Sequence, residues 1–257
     1  IGTIAMFTSL ISPLSASAAT TVPLASLASG DLIRGISNQG VYYYGQDGFR
    51  YVFPNDKTYF TWYTNFNSVK WISDSDLSSI QIGGNVTYKP GVKMVKIVSS
   101  DKTYAVGAHG TLRHITTEPI AIALYGSNWN KQVDDIADAF FGNYKMGSAI
   151  ELASSFTVNA EKSDATNIDV DKQLQTPTQI SISGNTYSRT SVTISAGTAI
   201  KWTNNDSVNH TASDDAGKWG TGTLTAGQNF SRYFKTPGTY TYHCNYHPSM
   251  TGTIIVQ

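Results

Sequence analysis

Apolar positions alternate along much of the C-terminal third of the chain. In Tyr240-Thr-Tyr-His-Cys244, the residues Tyr240, Tyr242 and Cys244 fall on one side of an extended backbone, with Thr241 and His243 on the other. This is the period-two pattern of a half-buried strand. Similar short runs recur at Ile180-Ser-Ile182, Val192-Thr-Ile194, Ile200-Lys-Trp-Thr203, Phe230-Ser-Arg-Tyr-Phe234 and Thr253-Ile-Ile-Val256. Separated by turn residues, they predict six strands of a Greek-key β-sandwich over residues 176–257, with residues 214–227 forming a loop.

Upstream, the pattern repeats itself. Leu32-Ile-Arg-Gly-Ile36 is matched by Met94-Val-Lys-Ile97, Tyr43-Tyr-Gly-Gln-Asp-Gly48 by Ala105-Val-Gly-Ala-His-Gly110, and Val69-Lys-Trp-Ile-Ser-Asp74 by Val133-Asp-Asp-Ile-Ala-Asp138. Two copies of one unit are expected, at residues 31–86 and 93–150. Each reads as short strands followed by a helix. The helix starts at Asp56 in the first copy and at Thr117-Glu-Pro119 in the second, a cap residue followed by proline in the first turn. The chain as a whole is therefore expected to be mainly β, a small duplicated α+β domain preceding the sandwich. The first copy is rich in tyrosine, phenylalanine and tryptophan. These are read as its core and cross-strand pairs, with glycan binding as the other use of any that are exposed. Residues 153–178 are polar and poor in aromatics, which predicts a mobile linker open to proteases.

The first thirty residues carry no charge. The apolar run from Ile1, the break at Pro13 and the small residues Ala16-Ser-Ala18 predict the remnant of a secretory signal over residues 1–18. The alternative is an apolar tail retained in an assembly. Only 14% of residues are charged and the formal net charge is zero, which gives no basis for a nucleic-acid partner. The low charge and the wealth of Ser, Thr, Gly and Tyr predict an extracellular, cell-surface or periplasmic setting.

Cys244 is the only cysteine, so no internal disulfide forms. His247 follows it by three residues and Met250 by three more, while His210 lies upstream in Trp202-Thr-Asn-Asn-Asp-Ser-Val-Asn-His210. One thiolate, two imidazoles and a thioether form a candidate metal set: His210, Cys244, His247 and Met250. Soft sulfur donors suit copper, and two His and one Cys with a weak axial Met make the blue-copper electron-transfer arrangement. His109 and His114 have no such company and read as turn and strand residues.

Residues 176–257 resemble the plastocyanin/amicyanin type of cupredoxin. The likeness is carried in order by Ala196-Gly-Thr198, Ile200-Lys-Trp-Thr-Asn204, His210-Thr211, Phe234-Lys-Thr-Pro-Gly-Thr-Tyr240 and the Cys244, His247, Met250 loop. The resemblance implies one type 1 copper and a single-electron carrier, with no catalytic residues. A redox partner protein would dock near the edge of His247. One position departs from the pattern. Several relatives carry Asn directly after the first histidine ligand, where this chain has Thr211, and this leaves open the hydrogen bond that ties the two ligand loops together. Enzymatic relatives place extra histidines beside the cysteine, but Asn245 stands where the second would be, which argues against an enzyme. The two N-terminal units resemble modules of bacterial cell-surface proteins, which implies cell-wall contact or self-association. The competing reading is a structural or adhesive surface or filament subunit in which the copper domain is secondary.

Overall fold

The computed structural model describes residues 20–257. The expected secretion signal at residues 1–18 lies outside the described residues.

The first sheet is built from β1 (Leu32–Arg34), β2 (Tyr42–Tyr44), β3 (Arg50–Val52), β4 (Val69–Trp71) and β5 (Ile82–Asn85), in the order β4-β1-β2-β3-β5. Strands β1 to β3 form an antiparallel meander, while β4 joins β1 and β5 joins β3 in parallel. Parallel neighbours need a crossover. Two short helices serve, α1 (Asp56–Trp62) and α2 (Asp74–Ser79). Their N-caps are Asn55 and Ser73, which accept from the amides of Thr58 at 2.8 Å and Asp76 at 3.0 Å.

The second sheet comprises β6 (Met94–Ile97), β7 (Tyr104–Gly107), β8 (Thr111–His114), β9 (Val133–Ile136) and β10 (Lys145–Met146), in the order β10-β8-β7-β6-β9. Matched element for element, this is the order of the first sheet: a meander flanked by two parallel strands. The helices α3 (Glu118–Tyr125) and α4 (Asp138–Phe141) occupy the corresponding crossovers.

The stretch expected to be a linker is folded. It holds α5 (Val158–Asp164) and α6 (Ile168–Asp171), and buries Phe156, Ala165, Ile168 and Leu174. Its acidic side chains satisfy backbone amides of the two sheets. Glu161 accepts from Ala108 at 2.7 Å, Asp171 from His109 at 2.8 Å and Asp169 from Gln46 at 3.0 Å. Polar composition here reflects bonding to other elements, not mobility. Limited proteolysis of the intact protein is therefore expected to spare residues 153–178. First cuts in that stretch would show that these contacts do not persist in solution.

The C-terminal sandwich holds β11 (Thr178–Ser183), β12 (Thr186–Tyr187), β13 (Ser191–Ile194), β14 (Thr198–Asn204), β15 (Ser213–Asp214), β16 (Asn229–Phe234), β17 (Gly238–His243) and β18 (Thr251–Val256). One sheet runs β12-β11-β14-β16 and the other β13-β18-β17-β15. The six expected strands are present, each reaching one or two residues further at one or both ends, except that β17 stops at His243 and Cys244 follows directly after it; the short β12 and β15 are additional. Between the sheets lie Ile180, Ile182, Ile200, Trp202, Tyr242 and Ile254, all fully buried. The first sheet packs on this sandwich through a buried carboxylate. Asp47 accepts hydrogen bonds from the hydroxyls of Tyr51, in the first sheet, and Tyr233, in β16. The ring of Phe49 stacks on Tyr233 at 4.8 Å.

Candidate metal centre

Strand β17 delivers Cys244. Alternation buries Tyr242 and Cys244 and leaves His243 half-exposed, its Nδ1 2.6 Å from Asp215 Oδ1. A closed set of backbone bonds then folds the loop. His247 N donates to Cys244 O at 3.2 Å, Met250 N to His247 O at 2.8 Å, and Cys244 N to Met250 O at 3.0 Å. This returns the chain into β18 with Met250 buried in the same core as Cys244. Gly252 must follow, because a Cβ there would lie 2.3 Å from the buried ring of Tyr242, its partner across the strand pair.

His210 arrives from the other side of the core. It sits in no extended strand, but is held by two backbone bonds with Leu224, at 3.1 and 2.8 Å. Its Nε2–H donates to Asp206 Oδ2 at 3.0 Å, which leaves the Nδ1 lone pair facing inward. Asp206 is itself clamped. Gly184 and Asn185 form the tight hairpin turn between β11 and β12, both with positive φ, and their amides reach the Asp206 carboxylate at 2.7 and 3.0 Å. These amide bonds, ahead of the one from His210, hold the Asp206 carboxyl below its ordinary pKa.

The three donors converge. Cys244 Sγ lies 3.7 Å from His210 Nδ1 and 3.7 Å from His247 Nδ1, and all three ligand atoms fall within 4.8 Å of one another. A first-row cation binds sulfur at about 2.3 Å and imidazole nitrogen at about 2.1 Å. Two such bonds meeting at roughly 110–120° hold sulfur and nitrogen about 3.6–3.8 Å apart, which the observed spacing matches. His210 and Cys244 are completely buried and His247 is half-buried. The donors therefore suit one soft cation shielded from water, reached by the edge of a single imidazole.

Thr211 resolves the departure noted in the sequence. Its amide donates to Cys244 Sγ at 3.3 Å, and its hydroxyl oxygen accepts from the amide of Asn245 at 2.9 Å. The two ligand loops are thus tied by a threonine hydroxyl. Its carbonyl is anchored in turn by the Tyr187 hydroxyl at 2.5 Å. Asp206 was not singled out from the sequence. Its position one turn-length before His210, in Asn-Asn-Asp-Ser, is the signal that was available. Asp206→Asn should lower copper affinity by roughly 10–100-fold, the usual cost of losing such a partner, measured by competition with a chelator.

His109 and His114 lie elsewhere. His109 bonds Asp171 through its amide and ring, and His114 lies in β8. Among the described residues, one group of three or more His, Cys, Asp or Glu is placed to hold a cation.

Residues 149–256 match the family model of the cupredoxin-like domain. Amicyanin-alpha of Methylorubrum extorquens is 34% identical over 85 residues, which span 31% of this chain and 71% of that protein. The chain belongs to the cupredoxin family. Among solved structures, the amicyanin of Paracoccus versutus is 29% identical, covering 32% of this chain and 81% of that one, with a TM-score of 0.30. A copper-containing nitrite reductase of Thermus scotoductus is 26% identical, covering 32% of this chain but 22% of that one, with a TM-score of 0.30. The cupredoxin match begins at residue 149, ahead of α5, and so takes in the folded segment that the sequence pattern had set apart. No described helix is long and apolar enough to cross a membrane.

Proposed function

We propose that this protein carries single electrons through one type 1 copper that would be held by His210, Cys244 and His247, with the Met250 thioether as a fourth, weaker donor. The observation that carries this is the convergence of a buried thiolate and two imidazole nitrogens at 3.7 Å. When bound, the ion supplies one-electron exchange between Cu(II) and Cu(I). The residues do the rest. Thr211 N–H stabilises the thiolate, Asp206 fixes the His210 tautomer, and the loop bonds hold the donors in one arrangement for both oxidation states. Little then rearranges when the charge changes, which favours fast transfer.

His247 is the half-buried ligand, so electrons are expected to enter and leave at its edge. Val208 and Tyr246, about half exposed at 48% and 50%, stand on the loops that carry the ligands. They offer an apolar surface for a redox partner protein. We infer a carrier and not an enzyme: His243 is taken up by Asp215 on the far side of β17 from the thiolate, and Asn245 follows Cys244. A purely structural or filament role would leave the donor convergence without a use. The two N-terminal sheets are best read as copies of one unit that holds the carrier at a cell surface or in the periplasm, by cell-wall contact or self-association. Their shared strand order supports the duplication.

The test is redox cycling. The copper-loaded protein should bleach with a mild reductant, recover its colour on reoxidation, and keep its copper through repeated cycles. Release of copper on reduction would sink the carrier reading.

A further inference from the structure

The two N-terminal sheets carry the same surface pocket. In the first unit it opens between the start of β2, the end of β3 and α1; in the second, between the corresponding β7, β8 and α3. Each has a volume of about 210 Å3. Its lining falls at one constant spacing in the sequence: Gln39 and Asp101, Val41 and Thr103, Phe53 and Ile115, Asn55 and Thr117, Asp56 and Glu118, Tyr59 and Ala121. The floor has changed from aromatic to small and aliphatic. At one end the rim has kept its chemistry, an amide or hydroxyl beside a carboxylate, as Asn55 and Asp56 in the first unit and Thr117 and Glu118 in the second; at the other end the Gln39 amide is replaced by the Asp101 carboxylate.

One aromatic ring completes each wall. Phe66 is 48% exposed and stacks on Tyr59 at 4.4 Å. Trp129 donates from Nε1 to Glu118 Oε1 at 3.3 Å. In the first unit the pocket runs on past Phe66, sharing Gln39, Val41 and Phe66 with a second hollow of about 290 Å3 that ends at Trp71, where Arg34 lies 4.0 Å over the ring.

The geometry points to a pair of saccharide-binding sites, one per N-terminal unit, that take a neutral, hydroxyl-rich glycan chain. A sugar presents C–H groups that lie against an aromatic face and hydroxyls that donate to carboxylate and amide oxygens. Both halves of that requirement are met in each pocket. The space equals that of roughly seven waters at about 30 Å3 each, the scale of a single sugar ring, and the continuation past Phe66 accommodates a chain. Neither of the two equivalent linings carries a lysine or arginine, and both carry carboxylate, so an anionic ligand is disfavoured. A quaternary ammonium group asks for a cage of several open aromatic faces. Here one ring reaches the opening of each pocket, since Phe53 and Tyr59 are buried beneath it.

The inference gives a ligand class to the anchoring role proposed above and rests on that reading for its biological sense. The test uses the full-length copper-loaded protein and calorimetric titration with cellotetraose, mannotetraose and chitotetraose. At least one should bind at two sites per chain. Phe66→Ala and Trp129→Ala should each weaken one site about tenfold, the loss expected for one stacked ring, and the double variant should weaken both by that factor. Phe66→Trp keeps the platform and should keep binding, which separates a lost contact from a damaged fold. Asp56→Asn should weaken the first site several-fold. The copper absorption, read on the same samples, should not move, so failure of the pockets and failure of the metal site are distinguishable. No binding of any of the three sugars, or binding unchanged in the double variant, overturns the proposal. Binding of tetramethylammonium, abolished by Asp56→Asn and unaccompanied by sugar binding, would assign the pockets to cations instead.

Discussion

Cys244→Ser is expected to abolish the intense visible absorption of the copper-loaded protein outright while leaving the fold intact. The absorption arises from charge transfer between a thiolate and Cu(II), and serine supplies no soft thiolate. The fold should survive because serine nearly matches cysteine in size, and its hydroxyl can accept from Thr211 N–H, the donor that now lies 3.3 Å from Sγ. Far-ultraviolet circular dichroism of the metal-free variant should therefore match that of the parent. A blue band that persists in Cys244→Ser would show that the chromophore lies elsewhere.

The second large effect lies far from the metal. Asp47→Ala should destabilise the protein by roughly 3–5 kcal/mol, because it strips a buried site of its acceptor. Asp47 is completely buried and receives the amide of Phe49 at 3.1 Å together with the hydroxyls of Tyr51 and Tyr233. Burial first, and the neighbouring carboxylate after it, push both tyrosine hydroxyls well above their ordinary pKa, so they remain donors. Without Asp47 the Phe49 amide and one of the two hydroxyls, which lie 3.4 Å apart and can pair only with each other, lose their acceptor between the first sheet and the sandwich. For a chain of this size the midpoint of thermal unfolding should fall by on the order of 10 °C. Copper absorption at low temperature should be unchanged, since none of these groups touches the site. A fall of a degree or two would mean that water replaces the carboxylate and that the junction is looser than its contacts suggest.

The sequence was most informative where chemistry and local geometry coincide. Alternation through Tyr240, Tyr242 and Cys244 placed the thiolate at the end of a core strand, and the spacing of His247 and Met250 required a returning loop. Both depend on neighbours in the chain. The sandwich strands were readable for the same reason, whereas β12 and β15, two residues each, have no period to read. The hydroxyl of Thr211 bonds an amide at position 245, and Asp206 gathers amides from a turn at 184–185. Such long-range bonds leave no periodic trace. Residues 153–178 misled because their helices are only seven and four residues long, and their few buried positions, such as Ile168 and Leu174, are diluted by acids. Those acids bond backbone amides of the sheets, so a composition typical of a linker belongs here to a packed segment. In the first unit, the expected aromatic core is found in Tyr43, Tyr51, Phe53 and Tyr59, yet Phe60 and Phe66 stay exposed. Only the fold separates the two sets.

The most direct test of the central claim is the spectrum of the purified protein after stoichiometric loading with Cu(II), by visible absorption and electron paramagnetic resonance together. A thiolate and two imidazoles on one buried ion predict an intense blue band and a narrowed copper hyperfine splitting, from one copper per chain. A pale protein with the wide hyperfine splitting of ordinary nitrogen and oxygen coordination, or one that takes up no copper, would contradict it.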